Sequence, residues 1–195
     1  MNREFDPLPI RELGAGAGFC RPTQSQAARV TPESPALHVM TDLARVAPAT
    51  IRPDAPLYGA NQFMITRGVR LLLVVDERHE AVLGLISASD ILGERPLQMA
   101  ASRGLRMSEL AVVDVMTAAA DIEVIPLADV EGARVGHVLE TLRRLGRQHA
   151  LVVDAEHRVR GIFSLSQVAR QLGLELPSGG EVARTFAEIE AALVK

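Results

Sequence analysis

Two short stretches of the chain place a serine three residues before a side chain that can accept hydrogen bonds. They are GLISASD at 84–90, with Ser87 and Asp90, and GIFSLSQ at 161–167, which ends in Gln167 instead. A carboxylate can accept a hydrogen bond from each of two adjacent hydroxyl groups, such as those of a ribose, at about 1.5–3 kcal/mol apiece. A glutamine has one acceptor oxygen and an NH2 group, so it cannot offer the same pair of acceptors.

The same spacing also has a purely structural interpretation. Ser-x-x-Asp and Ser-x-x-Gln both fit a capping box, in which the two side chains satisfy free backbone N–H groups at a helix start. Capping explains both copies equally well, but it does not require the acid of Asp90. Ligand binding explains the difference, because a helix start beside a cleft also suits phosphate oxygens. We therefore expect Asp90 to serve a ligand as well as a cap, and the second site, at Ser164 and Gln167, to be weaker.

Both stretches belong to a duplication within the chain. HVMTD at 38–42 returns as DVMTA at 114–118, the run LLLVVD that ends at Asp76 returns as HALVVD, and Gly84 returns as Gly161. The offsets are 76, 78 and 77 residues. Several features in one order at a nearly constant offset indicate a repeated structural unit.

Each copy predicts the same order of elements, β-α-β-β-α. A short β-prone run, ATI or IEVI, precedes a helix whose apolar residues recur on one face. Next come two strands joined by a polar turn, which is typical of a hairpin, and a last helix that begins at the serine of the motif. The fold class is therefore α/β, in the α+β sense. The apolar helix positions are Leu57, Ala60 and Met64 in the first copy and Val135, Val138, Leu139 and Leu142 in the second.

The domain boundaries follow from these elements. Residues 1–35 are rich in proline and glycine and predict a tail without a core of its own. The repeats are assigned to 36–93 and 113–175, with a linker at 94–112 that carries a short helix after a proline at its start. A C-terminal amphipathic helix is expected over 178–195. Its capping residues are Ser178 and Glu181, and its apolar face consists of Val182, Phe186, Ile189 and Leu193.

Composition narrows the function classes. The formal net charge is −3, which gives no electrostatic reason to expect a nucleic acid or an anionic membrane as partner. No apolar run approaches the roughly 20 residues that cross a bilayer, and the N-terminus does not have the pattern of a signal peptide. The five histidines and the single cysteine show no metal-ligand spacing, and no nucleophile–base pair is evident. We therefore expect a cytoplasmic protein that is not an enzyme and holds no metal.

The doubled order of elements, with VMT, VVD and G-h-h-S-x-x-D motifs, resembles a tandem pair of CBS (cystathionine-β-synthase) domains over about residues 38–173. GIFSLSQ is especially similar to the corresponding stretch in the gamma subunits of AMP-activated protein kinase. The resemblance implies a stand-alone protein of bacterial or archaeal type, with repeats related by pseudo-twofold symmetry and two clefts between them. It also implies a regulatory adenosine-containing ligand (AMP, ADP, ATP or S-adenosylmethionine), no obligatory cofactor, and a homodimeric disc of four domains.

The same resemblance assigns roles in the first cleft. Asp90 would hold the ribose and Ser87 would lie near the phosphates. Two basic positions, Arg70 and His149, would converge on one anion, whereas Arg147 is expected to be a solvated turn residue. His149 would be partly charged near neutral pH only beside a phosphate. The remaining expected nucleotide contacts are Thr50 and Ile51 beside the adenine and Leu71 and Leu72 over the base.

Two hypotheses about function follow. The first is a non-catalytic sensor that binds an adenosine nucleotide in the Asp90 cleft and signals to a partner protein that the sequence does not identify. The second is a ligand-free dimerisation or docking scaffold, in which side chains fill the clefts. The bulky Leu71 and Leu72 and the missing acid in the second copy are consistent with the scaffold.

Overall fold

The computed structural model describes residues 29–78 and 81–174 together with Phe186 and Ile189. Predictions for residues 1–28, for the first hairpin turn at 79–80 and for the rest of the C-terminal segment from 175 onward lie outside these residues.

The helices and strands follow the order expected from the sequence. The first repeat contains β1 (Thr41–Asp42), β2 (Thr50–Ile51), α1 (Leu57–Arg67), β3 (Leu71–Val75), β4 (Val82–Ser87) and α2 (Ala88–Leu92). The linker contains α3 (Arg95–Arg103), and α4 (Val112–Val115) lies where the linker meets the second repeat. The second repeat contains β5 (Thr117–Ala118), β6 (Val124–Pro126), α5 (Leu127–Glu131), α6 (Val135–Leu145), β7 (His149–Val153), β8 (Val159–Ser164) and α7 (Leu165–Gln171). Short 3-10 helices lie at Ala36–Val39, Met107–Glu109 and Ala119–Asp121.

The strands form two four-stranded sheets, and each sheet takes one strand from the other repeat. One sheet has the order β2-β3-β4-β5 and the other the order β1-β8-β7-β6. Thr41 of β1 is paired with Ile162 of β8, and Thr117 of β5 is paired with Leu85 of β4. The two hairpins, β3–β4 and β7–β8, are antiparallel as expected, whereas β2 and β6 join them in parallel. The repeats are therefore joined by a reciprocal exchange of their first strands.

The exchange explains why the VMT and G-h-h-S motifs occur together. Gly161 of the second repeat lies against the thioether of Met40, so that any side chain there would clash with it. Gly84 of the first repeat lies against Met116 and the backbone carbonyl of Thr117 in the same way. The methionine that opens each repeat thus packs on the glycine that closes the other, and both glycines are required by close approach.

Three apolar clusters hold the fold together. In the first repeat, the predicted α1 face packs on the outer side of β3 and β4. In the second, the predicted α6 face packs on β7 and β8, and Phe186 and Ile189 are buried in the same cluster. The third cluster lies between the two sheets and contains Leu71, Leu73 and Leu151. Because side chains alternate along a strand, β3 directs Leu71 toward the second repeat and Leu72 toward its own helices.

The linker helix begins at Arg95, so that Pro96 lies within its first turn and not before its start. Within the described part of the chain, no helix has both the length and the apolar character needed to cross a membrane.

Candidate ligand-binding clefts

Two clefts lie between the repeats, and the pseudo-twofold symmetry relates them. The larger cleft, of about 560 Å³, is lined by 46–49 before β2, by Arg70, and by Gln167 and neighbouring residues of α7. The smaller cleft, of about 280 Å³, is lined by Ser87, Asp90, Thr117 and 146–149. Drug-sized ligands occupy pockets of about 300–1,000 Å³, so the larger cleft falls in this range and the smaller one lies just below it.

Equivalent positions of the two repeats occupy equivalent places in the two clefts. Thr41 and Ser164 in the larger cleft correspond to Thr117 and Ser87 in the smaller one. Leu71 and His149, which correspond to each other, line both clefts. The two clefts are therefore the same site built twice, and differences between them come from individual side chains.

In the smaller cleft, Asp90 forms the capping box that the sequence allowed. Its Oδ2 accepts hydrogen bonds from the Ser87 backbone N–H at 2.8 Å and from Ser87 Oγ at 2.6 Å, and the Asp90 N–H donates to Ser87 Oγ at 3.2 Å. The other oxygen, Oδ1, lies 3.8 Å from Nη1 of Arg95. The carboxylate is therefore already engaged by three groups of the chain, and a ribose would compete with them.

Two further polar side chains of the smaller cleft, Ser89 and Arg147, are also engaged by the chain. Ser89 Oγ donates to Oε1 of Gln148 in the other repeat at 3.1 Å. Arg147 donates from Nη2 to the backbone oxygen of Asp121 at 3.2 Å. Arg147 lies in the turn after α6, half-buried, and its bond is to a carbonyl of its own repeat. The bond between Ser89 and Gln148 joins the two repeats across the cleft that contains the acid.

In the larger cleft, the second copy of the motif does not form a capping box. Ser164 makes no side-chain cap, and its Oγ lies 3.0 Å from Ser166 Oγ. Gln167 Oε1 instead accepts a hydrogen bond from Thr41 Oγ1 at 3.0 Å. The capping prediction is wrong for this copy, because the exchanged strand β1 brings a hydroxyl donor within reach of the amide.

A further residue of the larger cleft, Gln171, was missed by the sequence reasoning. It is only 6% exposed, and its Nε2 donates to the backbone oxygen of His38 at 3.1 Å. Its Oε1 is buried and has no hydrogen-bond partner among the described residues. Burying an acceptor without a donor costs about 1–3 kcal/mol, so a ligand that donates here would relieve that cost.

The charges of the two clefts differ. Arg70 and Arg170 line the larger cleft, and no carboxylate occurs among its described lining residues. The smaller cleft contains Asp90 and Arg147. Burial, and secondarily the charge of Arg70, lowers the pKa of His149 to about 4, against a smaller opposing effect of Asp90. His149 is therefore neutral at pH 7 in this structure, and the positive charge in the larger cleft comes from the arginines.

The structure brings together only part of the site predicted from the sequence. Ser87 and Asp90 line the smaller cleft and Arg70 lines the larger one, whereas Leu71 and His149 line both. Arg70 and His149 therefore do line one cleft together, but it is not the cleft of Asp90. Leu72 is fully buried in the core of the first repeat, so it cannot cover a ligand base. Thr50 and Ile51 form β2 and line neither cleft; the residues just before them, 46–49, line the larger cleft instead.

Comparison with solved structures finds the same fold in several proteins. An uncharacterized conserved protein from Pyrococcus horikoshii is 21% identical with a TM-score of 0.55, covering 77% of this chain and 100% of that chain. CBSX2, a CBS-pair protein from Arabidopsis thaliana, in its complex with AMP is 22% identical with a TM-score of 0.51. This match covers 70% of this chain and 94% of that chain. A third structure is the CBS domain of the bacterial CNNM/CorC family Mg2+ transporter in complex with the inhibitor IGN95a. It is 22% identical with a TM-score of 0.52, and the match covers 75% of this chain and 80% of that chain.

No curated protein matches the chain significantly. The family model for the CBS domain matches it twice, over residues 30–96 and 108–173, which together make up well over half of its length. Both matches contain the duplicated motifs and the strands that exchange between the repeats. The chain therefore belongs to the CBS domain family and carries two CBS domains in tandem.

Proposed function

We propose that this protein is a non-catalytic regulatory module that binds an adenosine-containing ligand in the larger cleft and signals to a partner protein. The observation that carries this proposal is the larger cleft itself, of about 560 Å³, whose lining residue Gln171 has a buried acceptor, Oε1, without a partner among the described residues. Family membership supports a regulatory role, and the AMP complex of CBSX2 supports an adenosine ligand. A sensor of such nucleotides would act in the cytoplasm, where they are abundant.

Each wall of the larger cleft has a role in this proposal. The apolar segment 46–49 packs against the base, while Ser164, Gln167 and Thr41 offer hydroxyl and amide groups to the ribose. Gln171 Oε1 accepts a hydrogen bond from an amino or hydroxyl group of the ligand. We assign the main site to the second copy of the motif rather than to Asp90 because the larger cleft has twice the volume. In addition, three groups of the chain engage the Asp90 carboxylate, whereas Gln167 Oε1 accepts only from Thr41 among the described residues.

Binding is coupled to signalling through the position of the cleft. Arg70 and the segment 46–49 belong to the first repeat, whereas α7 belongs to the second. A ligand that contacts both walls favours the relative angle of the repeats at which its contacts are best. The two repeats, at 36–93 and 113–175 in this proposal, would pass that change of angle to the effector.

Titration calorimetry with adenosine, AMP, ADP, ATP and S-adenosylmethionine tests the proposal directly. We expect binding of at least one of these ligands below millimolar concentration. Gln167→Ala should weaken it by roughly two- to tenfold, the value of one or two neutral hydrogen bonds. Asp90→Ala is the matched control and should change affinity by less than about twofold, since its carboxylate is engaged elsewhere.

Two outcomes would contradict this assignment. The absence of binding by all five compounds would reject a nucleotide sensor. A large loss in Asp90→Ala with none in Gln167→Ala would return the ligand to the smaller cleft.

The scaffold remains a second candidate because apolar side chains are exposed on the helices of the first repeat. Tyr58 and Ile65 on α1 are 74% and 66% exposed, and Leu92 at the end of α2 is 70% exposed. We propose that this surface supports a homodimer of the chain, in the sensor and in the scaffold alike. Light scattering at micromolar concentration should give twice the mass of one chain, and a monomer would reject the dimer.

A further inference from the structure

The face that α1 turns to solvent carries no charged side chain until the helix ends at Arg67. Its exposed positions before that residue are Tyr58, Gly59, Gln62, Ile65 and Thr66. The equivalent positions of α6, the matching helix of the second repeat, are Gly136, His137, Glu140, Arg143 and Arg144. A surface helix normally directs charged and polar residues away from the core. α6 follows this pattern, whereas α1 exposes two large hydrophobic side chains, Tyr58 at 74% and Ile65 at 66%.

A glycine, Gly59, lies on the same face of α1. Glycine weakens a helix relative to alanine, and the backbone at this position is helical. No described atom lies within 4 Å of the point where a side chain at Gly59 would begin. The packing of the chain on itself therefore does not require a glycine there. A bare backbone does allow another molecule to approach the helix closely.

On the second repeat, the chain itself covers the start of the corresponding helix. Gly136, the equivalent of Tyr58, donates its backbone N–H to the oxygen of Pro32 at 2.9 Å. The first atom of a side chain at Gly136 would lie 3.4 Å from that oxygen. The place where Tyr58 extends into solvent on the first repeat is therefore occupied on the second by the segment before β1.

The last helix of the second repeat is covered as well. Ala169 on α7 is fully buried, whereas its equivalent on α2, Leu92, is 70% exposed. Val30, Phe186 and Ile189 are buried in the same apolar cluster as Ala169. The backbone N–H of Val30 also donates to the oxygen of the last residue of α7 at 3.0 Å. The helical face that is open on the first repeat is thus closed on the second.

We propose that two copies of the chain associate through their first repeats alone, with the exposed face of α1 in one copy packed antiparallel against the same face in the other. This inference rests on the homodimer of the proposed function and gives it a surface and a symmetry, in place of the disc of four domains that the sequence resemblance implies. Because the α1 face is uncharged, a twofold contact with itself brings no like charges together. The same contact between two α6 helices would place Glu140 beside Glu140 of the second copy.

The sizes of the side chains on α1 fit a twofold axis at Gln62. Gly59 and Ile65 lie three positions before and after Gln62, and Tyr58 and Thr66 lie four positions before and after it. In a twofold contact, residue i of one copy meets residue j of the other and j meets i. An antiparallel pair about this axis therefore places each isoleucine over the glycine of the other copy and each tyrosine over the smaller threonine.

Cysteine cross-linking at the axis tests which repeat forms the contact. Gln62→Cys is compared with Glu140→Cys at the equivalent position of α6, each in a chain whose one native cysteine is removed by Cys20→Ser. A residue at a twofold axis lies next to its own copy, so mild oxidation should convert most of the Gln62→Cys chain into a disulfide-linked dimer. Glu140→Cys should remain largely uncross-linked. Equal cross-linking of both variants would favour a disc of four domains and overturn the inference, as would cross-linking of neither.

Sedimentation equilibrium of Gly59→Ala tests the close approach of the two helices. Each dimer contains the glycine contact twice, so the added methyl groups should raise the dimer dissociation constant by about ten- to a hundredfold. A face without a partner predicts the reverse, because alanine stabilises a helix: unchanged association and a higher melting temperature. Arg144→Ala, at the position of α6 equivalent to Thr66, is the control and should retain the wild-type dissociation constant.

The outcomes separate this inference from the proposed function. A dimer that persists unchanged in Gly59→Ala would keep the homodimer but overturn its placement on α1. A wild-type chain that is monomeric at micromolar concentration would reject the homodimer and this inference together. Neither result bears on the larger cleft, whose adenosine ligand is tested by calorimetry alone.

Discussion

The two clefts occupy equivalent places in a duplicated fold, yet the one that retains the acid is the narrower. Asp90 is the residue that the motif singles out, but it caps its own helix and lies near Arg95. Gln167 lacks the second carboxylate oxygen, but it lies in a cleft with twice the volume. A motif thus indicates where a binding site can form, whereas the side chains opposite the motif determine whether a ligand has room there.

A few pairs of equivalent residues account for this difference. Arg147 in the smaller cleft donates to the backbone oxygen of Asp121, whereas its equivalent in the larger cleft, Val69, has an apolar side chain. Gln148 accepts the hydrogen bond of Ser89 from the other repeat, whereas the side chain of its equivalent, Arg70, has no partner among the described residues. The duplication thus gave two similar clefts, and different side chains on their facing walls gave these clefts different volumes and charges.

The largest effect is expected from the glycines that support the exchanged strands beside each cleft. Gly84→Ala directs a methyl group at the backbone carbonyl of Thr117, which cannot move without disturbing β5. We expect a loss of about 3 kcal/mol in the free energy of unfolding, the upper end for overpacking. Gly161→Ala meets only the flexible side chain of Met40 and should cost about 1 kcal/mol. Urea denaturation of both variants would reject this reasoning if Gly161→Ala were the more damaging.

An effect that is smaller per pH unit should come from the histidine that lines both clefts. Because the pKa of His149 is about 4 in the folded chain and near 6.5 when unfolded, the unfolded state binds a proton first as pH falls. Stability should therefore be unaffected above about pH 6.5 and decline between 6.5 and 4, by at most about 1.4 kcal/mol per pH unit.

Substitution of His149 gives the matched comparison for that decline. His149→Asn should flatten the dependence of unfolding free energy on pH in this window. His157→Asn, in the exposed turn of the second hairpin, should leave the dependence as in the wild type. Equal slopes in wild type and His149→Asn would show that His149 is not the responsible group.

The smallest effect concerns the two serines that begin the last helix of each repeat. Ser87 caps α2, whereas Ser164 makes no cap on α7. Ser87→Ala should cost about 1 kcal/mol, the usual value for an N-cap, and Ser164→Ala less than about 0.5 kcal/mol. Thermal unfolding monitored by circular dichroism measures both, and equal losses would mean that the two helix starts are stabilised alike.

The sequence was sufficient for the elements whose apolar pattern is long enough to be distinctive. The helix faces at 57–64 and 135–142 were predicted from their periodicity, and the hairpins from two strands around a polar turn. The run LLLVV shows where such reasoning ends. Because all five residues are apolar, nothing in the pattern indicates that Leu71 faces the clefts and Leu72 the core.

The remaining features depend on contacts between distant parts of the chain. Strands β1 and β5 are two residues long, too short to show an alternating pattern, so their exchange could not be predicted. The positions of Arg170 and Gln171 in the lining of the larger cleft depend on α7 running longer than α2, and single-sequence patterns define helix ends poorly. The bond from Thr41 to Gln167 joins residues 126 positions apart and has no local signature.

The exchange of β1 and β5 between the two sheets determines what is lost when the chain is divided between its repeats. A chain cut within the linker yields two halves, each of which lacks the outermost strand of its own sheet and carries that of the other. Each half alone would leave a buried strand edge open and expose Met40 or Met116 to water. Neither half alone can therefore complete its own sheet, and division of the chain at the linker leaves both sheets short of a strand.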